Sequence, residues 1–308
     1  MTAILASLSN STKSQYTSSF KLWWGYCNTK GLDPFDIQVY DLLDFLADCL
    51  RNGSSYGSLN SHRSALSLIS INKVGQDERV KRFLKGVFKI KPTFPKYDTT
   101  WDPNVVLNYL ANLYPNSSLS LEQLTKKLVV LLALSTGQRC QTLTLIRIPN
   151  IKMSSERIVI TITDIIKTSG IGRSQPRLDL PYFIQRPSVC PADALVSYIT
   201  MTSTCRSSHD DRLILTTKKP FHPASSQTIG RWIKQILTAS GVDTTIFSAH
   251  STRHATTSAA LRAGVSVDTI RKTATWSDQS ATFANFYNRP LINDNLSFAN
   301  ALFNVSPN

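Results

Sequence analysis

Residues 156–183 read ERIVITITDIIKTSGIGRSQPRLDLPYF. Positions 156–166 are dense in β-branched side chains, which suit a pleated strand better than a helix. Positions 167–177 hold two glycines and a proline, the composition of a turn, and RLDLPYF at 177–183 supplies a partner strand. Most of the remaining chain has helical apolar spacing. This hairpin therefore decides the fold class: mainly α with a small β-sheet.

Upstream, four short helices are expected. Asn10 or Ser11 can cap a helix that carries Tyr16, Phe20, Trp23, Trp24 and Cys27 and stops near Gly31. Val39 to Leu50 places Leu42, Leu43, Phe45, Leu46 and Leu50 on one stripe, and Tyr56 to Asn72 repeats the pattern. Arg79 to Ile90 is basic, with Arg79, Lys81, Arg82, Lys85 and Lys89. Such a set suggests a small bundle. KIKPTFPKYDTTWDP follows, where Pro92, Pro95 and Pro103 block helix continuation. It reads as a linker, which divides the chain into a helical domain over 1–91, a linker over 92–102 and a mixed domain over 103–308.

In the mixed domain, helices are expected over Pro103 to Leu113, Leu121 to Thr136, Ala192 to Met201, Ser226 to Ser240, Thr252 to Ala263 and Ser266 to Thr273. Further helical pieces run through Phe286 and from Asn295 to Phe303. There is no internal repeat.

The 308 residues carry 34 Lys and Arg against 20 Asp and Glu, a net charge of +14. A protein this basic, with its excess spread along the chain, is expected to meet a polyanion, most often nucleic acid. The cysteines Cys27, Cys49, Cys140, Cys190 and Cys205 are scattered and form no CxxC, so neither a disulfide framework nor a zinc ribbon is indicated, and a reducing intracellular compartment fits. The longest apolar run, Leu128 to Leu134, is too short to span a bilayer, and the N-terminus lacks the pattern of a signal peptide.

Residues 248–257, SAHSTRHATT, hold His250, Arg253 and His254 within five positions. Three readings compete: a metal site, a phosphate site, or an ordinary helix start. The metalloprotease pattern HExxH would need Glu at 251, where Ser stands, and no third ligand is near. A phosphate accounts for all three cations, with Ser248 or Ser251 capping a helix whose N-terminus adds a positive dipole end. In LLALSTGQRC, an apolar helix stops at Gly137 and Arg139 emerges just beyond, placed to fork a phosphate oxygen. Lys167 stands at the mouth of the hairpin. Trp276 precedes Tyr287 by eleven residues, and Asn288-Arg289-Pro290 stops the segment after it.

In the order Arg139, Lys167, His250, Arg253, Trp276, Tyr287, these pieces resemble a tyrosine recombinase of the phage-integrase superfamily. TGQR matches the first arginine box, HSTRH the HxxRH box, LRAG follows as in family members, and Trp276 stands in the slot that holds His or Trp. TGQRCQTL, QPRLDLPYF and FYNRP further resemble eukaryotic mobile-element recombinases of DIRS-like or Crypton-like elements. The resemblance covers about residues 101–290. It departs at Thr142, where members often carry an acidic residue, and in a Trp276-to-Tyr287 spacing slightly longer than usual. Neither departure removes a reacting group.

The resemblance implies an N-terminal helical core-binding domain, an α+β tyrosine-recombinase catalytic domain, and cleavage and rejoining of double-stranded DNA. Tyr287 would attack a phosphodiester to give a 3′-phosphotyrosyl link. His250 would accept or relay its proton, and Arg139 and Arg253 would clamp the phosphate. Lys167 would protonate the leaving 5′-oxygen, Trp276 would donate its indole N–H, and His254 would support the site by a hydrogen bond. No metal and no cofactor are expected. Lys81, Arg82, Lys85 and Lys89 are candidate phosphate contacts, with a solvated helix face as the alternative. A homotetramer on two DNA sites is implied, with the apolar tail LSFANALF docking on a neighbour or on its own domain. A nuclear location follows from the DNA substrate and the eukaryotic flavour. Two alternatives keep parts of this reading: a type IB topoisomerase-like enzyme, and a domesticated DNA-binding protein without cleavage.

Overall fold

The computed structural model describes residues 7–206, 211–276 and 287–291. The helical pieces expected up to Phe286 and from Asn295 to Phe303 lie outside these residues. The chain forms two compact units, 1–95 and 96–308.

The first unit holds α1 (Asn10–Lys30), α2 (Val39–Arg51), α3 (Tyr56–Ile69) and α4 (Glu78–Ile90). Ser9, rather than Asn10 or Ser11, caps α1 by accepting from the Thr12 N–H, and Gly31 ends it at φ 65°, a left-handed turn that glycine takes without strain. The third helix stops at Ile69, short of the expected Asn72. Trp23, Leu42, Phe45, Leu46, Leu59, Leu66, Val80 and Leu84 fill the core. Leu84 and Val80 face inward on α4, while Lys81, Arg82, Lys85 and Lys89 stand on its more exposed side.

The second unit is built on α6 (Leu121–Thr136). A reciprocal Ser120–Gln123 capping box starts it, and residues 128–134 are buried on every side, as expected of an all-apolar helix at the centre of a domain. Around it lie α5 (Pro103–Ala111), α7 (Cys140–Thr144), α8 (Pro191–Thr202), α9 (Ser226–Ala239), α10 (Ser251–Arg262) and α11 (Val267–Thr273). The sheet is antiparallel in the order β1 (Ile151–Met153), β2 (Arg157–Thr161), β3 (Arg177–Pro181). Ile158 and Ile160 face inward opposite Leu180 and Leu178, the period-2 alternation of a half-buried sheet. The β-branched run over 156–166 is thus strand only at its start, and β1 is an addition to the expected hairpin. Beyond Thr161 the chain leaves the ladder to carry Lys167.

Tyr97 and Trp101, from the stretch read as linker, are buried in the core of this unit. The five cysteines are free thiols. Among the described residues no helix is long and apolar enough to cross a membrane.

Lys127 is fully buried on α6, an unexpected place for an ammonium group. Its Nζ donates to the Leu113 carbonyl at 2.5 Å and to Asn116 Oδ1 at 2.8 Å, while Asn116 Nδ2 donates to Asp193 Oδ2 at 2.8 Å. Burial holds its pKa down to about 8, against the pull of Asp193. Lys127→Met keeps the volume but strands two acceptors. It is expected to cost about 2 kcal/mol in denaturant unfolding; an unchanged midpoint would contradict the role given to this network.

Candidate active site

The turn that carries Arg139 is stitched down from three directions. Gly137, at φ 59°, closes α6, and its carbonyl accepts from Arg253 Nη1 at 2.5 Å. Gln138 Nε2 donates to the Thr273 carbonyl at 2.7 Å, and Thr256 Oγ1 donates to the Leu134 carbonyl. Arg139 follows as the residue before α7, half-buried. Thr142, where the sequence departs from the resemblance, is buried.

Arg253 on α10 is 1% exposed. Besides Gly137, its guanidinium donates to the Ala274 carbonyl through Nη2. It lies 4.3 Å from the centroid of the Trp276 ring and 5.6 Å from that of Tyr287, close enough for cation–π attraction. Burial, and then the charge of Arg139, lower its pKa to about 9, so it remains cationic at neutral pH.

His250 sits at the N-cap of α10. Neither Ser248 nor Ser251 caps this helix as expected, because both hydroxyls are engaged elsewhere. Ser248 Oγ pairs with Tyr97 OH at 2.7 Å, and Ser251 Oγ accepts from Trp101 Nε1 at 2.9 Å. The two serines on either side of His250 are therefore held by aromatics from residues 97–101. The same segment pairs with the far side of the site: Thr100 N–H donates to the carbonyl of Pro290, which closely follows Tyr287, at 2.8 Å.

Tyr287 is 7% exposed, and its hydroxyl lies 2.8 Å from His250 Nε2. Its ring stacks on His254 at 4.2 Å and leans on Trp276 at 4.7 Å. Ser258 Oγ donates to its carbonyl at 2.6 Å and accepts from the Arg289 N–H at 3.0 Å. What the structure shows for His254 is a stacking role: the ring is a buried platform between Tyr97 and Tyr287.

Electrostatically the site is one-sided. His250 keeps an open face to solvent, yet its pKa falls to about 4, first through partial burial of the ring and then through the charges of Arg253, Arg139, Lys167 and Lys96. Lys167 is exposed on the turn after Ile166. Neither Arg139 nor Lys167 forms an ion pair among the described residues. Cations gathered without a carboxylate repel one another, a cost that an incoming anion reverses. Among the described residues no group of three or more His, Cys, Asp or Glu is placed to hold a metal.

The structure thus brings Arg139, His250, Arg253, Trp276 and Tyr287 into one cluster, with the charge of Lys167 within reach of His250. His254 joins them as packing. Lys81, Arg82, Lys85 and Lys89 belong to the first unit. Sequence reasoning missed Lys96, Tyr97, Trp101 and Ser258. Two aromatics in a polar, proline-rich stretch were a usable signal for Tyr97 and Trp101; nothing in the sequence marks Ser258 apart from other serines.

The sequence model of the phage integrase family matches residues 107–292. Among solved structures, the chain is similar to the XerH site-specific recombinase in a post-cleavage complex on its palindromic difH substrate (TM-score 0.58, 12% identity, 87% of this chain and 73% of that one). It is also similar to a lambda integrase tetramer bound to a Holliday junction (TM-score 0.55, 16% identity, 93% and 75%). A third similar structure is the Tn1549 transposon integrase, residues 82–397, in complex with circular intermediate DNA (TM-score 0.54, 14% identity, 94% and 99%). At these identities the likeness shows the fold. No curated protein matches the sequence.

Proposed function

The chain belongs to the phage integrase family, and on that premise we propose that it is a tyrosine recombinase that cuts and reseals DNA through a 3′-phosphotyrosyl intermediate. The observation that carries this reading is the Tyr287 hydroxyl, held 2.8 Å from a neutral His250 Nε2 among Arg139, Arg253 and Lys167.

The steps balance with the chain's own groups. With its proton on Nδ1, His250 offers Nε2 as acceptor, and the Tyr287 O–H proton passes to it as the phenolic oxygen attacks phosphorus. Arg139 and Arg253 hold the non-bridging oxygens, whose charge grows in the transition state. Trp276 borders the same space with its indole. The P–O5′ bond breaks, and Lys167 donates a proton to the departing 5′-oxygen. The products are a Tyr287–phosphate ester on the 3′ side and a free 5′-hydroxyl. Reversal with another 5′-hydroxyl reseals the strand. The ester conserves the bond energy, so the cycle needs no nucleotide cofactor, and the two guanidiniums supply the positive charge at phosphorus.

The exposed cations of α4 extend the proposal to DNA binding. Lys81 already pairs with Glu78 at 2.7 Å, whereas Arg82, Lys85 and Lys89 have no acidic partner among the described residues. Changing these three to Gln is expected to flatten the plot of log affinity against log salt by about 0.9 per contact, read by fluorescence anisotropy. An unchanged slope would leave α4 as a solvated face.

Assembly as a tetramer on two DNA sites is proposed from the lambda integrase likeness. Integration or excision of a mobile element, of the eukaryotic type that TGQRCQTL, QPRLDLPYF and FYNRP resemble, is proposed from those motifs, and action in the nucleus from them and from a DNA substrate.

The pH dependence has a definite sign. A histidine held near 4 instead of 6.5 is neutral, and therefore a proton acceptor, across the physiological range. Bound phosphate raises that value by offsetting the surrounding cations. The acid limb of the single-turnover cleavage rate is therefore expected below about pH 6.5, with a flat rate from there to neutrality. A limb centred above about pH 7 would contradict His250 as the acceptor.

The reading is tested with a nicked duplex, recovered by selecting random DNA for binding to this chain, whose cleavage releases a short fragment and traps the product. Incubation in EDTA followed by a denaturing gel is expected to give a protein–DNA band. Tight binding without any band would favour a DNA-binding protein that does not cleave.

A further inference from the structure

Three residues before Lys167 stands Asp164, whose carboxylate is gripped by two arginine forks at once. Arg147 donates from Nε to Oδ2 and from Nη2 to Oδ1, both at 2.9 Å. Arg212 donates from Nη1 to Oδ2 at 3.2 Å and from Nη2 to Oδ1 at 3.1 Å. Arg147 also donates from Nη1 to Asp211 Oδ1 at 2.6 Å. The backbones of both arginines are locked together: Ile148 N–H donates to the Asp211 carbonyl and Leu213 N–H to the Ile146 carbonyl, each at 2.8 Å. Hydrogen bonds from Arg147 lead the effects that hold Asp164 at about 2, well below the usual carboxylate range. Four donated hydrogen bonds on one partly buried carboxylate far exceed what a solvated surface pair receives.

What this grip fastens is the root of the turn. Ile162 N–H bonds the Pro176 carbonyl at 3.0 Å as the hairpin opens. Asp164 is clamped next, and Ile166 is buried, its N–H donating to Ser169 Oγ at 2.9 Å. Ser169 Oγ in turn donates to Gln175 Oε1 at 3.0 Å. Farther out, Ile171 is fully exposed. The fastening therefore brackets Lys167, with Asp164 and Ile166 held before it and Ser169, whose N–H donates to the Ile166 carbonyl at 3.0 Å, held just after it. Arg147, for its part, follows closely on α7, the helix that Arg139 precedes. A short covalent path thus runs from Arg139 to Arg147, the ion pairs cross to Asp164, and three residues lead to Lys167. The two cations that must meet one phosphodiester are referenced to each other through this link.

We propose that Asp164, clamped by Arg147 and Arg212, is a positioning residue that sets where the Lys167 ammonium meets the leaving 5′-oxygen. The proposal rests on the reading of Lys167 as the proton donor to that oxygen. A positional error of about an ångström is enough to cost about 10²-fold in rate, within the range that general acid catalysis supplies.

The test uses the full chain and two nicked duplexes, one natural and one with sulfur in place of the bridging 5′-oxygen at the cut. A thiolate leaves without being protonated, so the sulfur substrate removes the need for the acid alone. Asp164→Asn is expected to cleave the natural duplex about 10²-fold more slowly than wild type, with the sulfur duplex restored to the wild-type rate and DNA affinity unchanged. Asp164→Glu should recover part of the natural rate. Arg147→Lys keeps the charge but cannot fork two carboxylates, and should give the same split, so the test survives if Asp164→Asn fails to fold in a thermal melt. Equal slowing of Asp164→Asn and Arg147→Lys on both duplexes, or no slowing on either, overturns the proposal. Lys167→Ala separates the two levels. Rescue of this variant by sulfur with no rescue of Asp164→Asn sinks the positioning role only, whereas failure of sulfur to rescue Lys167→Ala sinks the acid role and the proposal with it.

Discussion

Tyr287→Phe is expected to bind DNA as wild type does and to form no covalent adduct, a loss of at least about 10⁴-fold in cleavage. The structure makes this a clean deletion. The Phe ring keeps the stack on His254 and the contact with Trp276. The Ser258 bond goes to the backbone carbonyl of residue 287 and is untouched. Only the hydroxyl facing His250 Nε2 is lost. Unfolding temperature should therefore move little, and binding isotherms for the two proteins should overlay. Residual adduct in this variant would mean that a different nucleophile does the work, and the roles assigned around Tyr287 would fall together.

The second large effect is expected at Arg253, where catalysis and stability share one side chain. Its guanidinium bonds the Gly137 carbonyl, which fixes the turn carrying Arg139, and the Ala274 carbonyl, which fixes the approach to Trp276. Arg253→Ala removes a phosphate ligand and leaves two carbonyls without their donor. A fall of about 10³-fold in single-turnover cleavage is expected, the upper end for one preorganised electrostatic contact. Stability should drop by about 2–4 kcal/mol in denaturant unfolding, because the site is buried. Arg253→Lys keeps the charge but cannot reach both carbonyls with a planar fork, and is expected to regain only part of either loss. Full activity in the lysine variant would show that the fork geometry matters less than the charge.

The reacting groups were legible because their chemistry is carried by residue type and order: a guanidinium after a helix-stopping glycine, an imidazole and guanidinium three apart, and a tyrosine before Asn-Arg-Pro. The hairpin was legible through its β-branched run, although β1 (Ile151–Met153) is too short to leave a period of its own. What the sequence could not convey is long-range. Tyr97 and Trp101 sit in a stretch whose prolines and polarity say linker, yet they bond Ser248 and Ser251, about 150 positions away. Those bonds also explain why the serines do not cap α10: a hydroxyl given to a tertiary partner is unavailable to the helix end. Asp164 reads as one acid in a strand, and only the pairing of residues 146–148 with 211–213 brings two arginines onto it.

The central claim, that Tyr287 becomes the covalent link to DNA, is tested most directly by identifying the modified residue. The trapped adduct would be digested with nuclease and protease and its peptides sequenced by mass spectrometry. A nucleotide remnant is expected on Tyr287, joined through its 3′-phosphate, with the matching 5′-end free. A remnant on any other residue, or a link to the 5′-side of the cut, would contradict it.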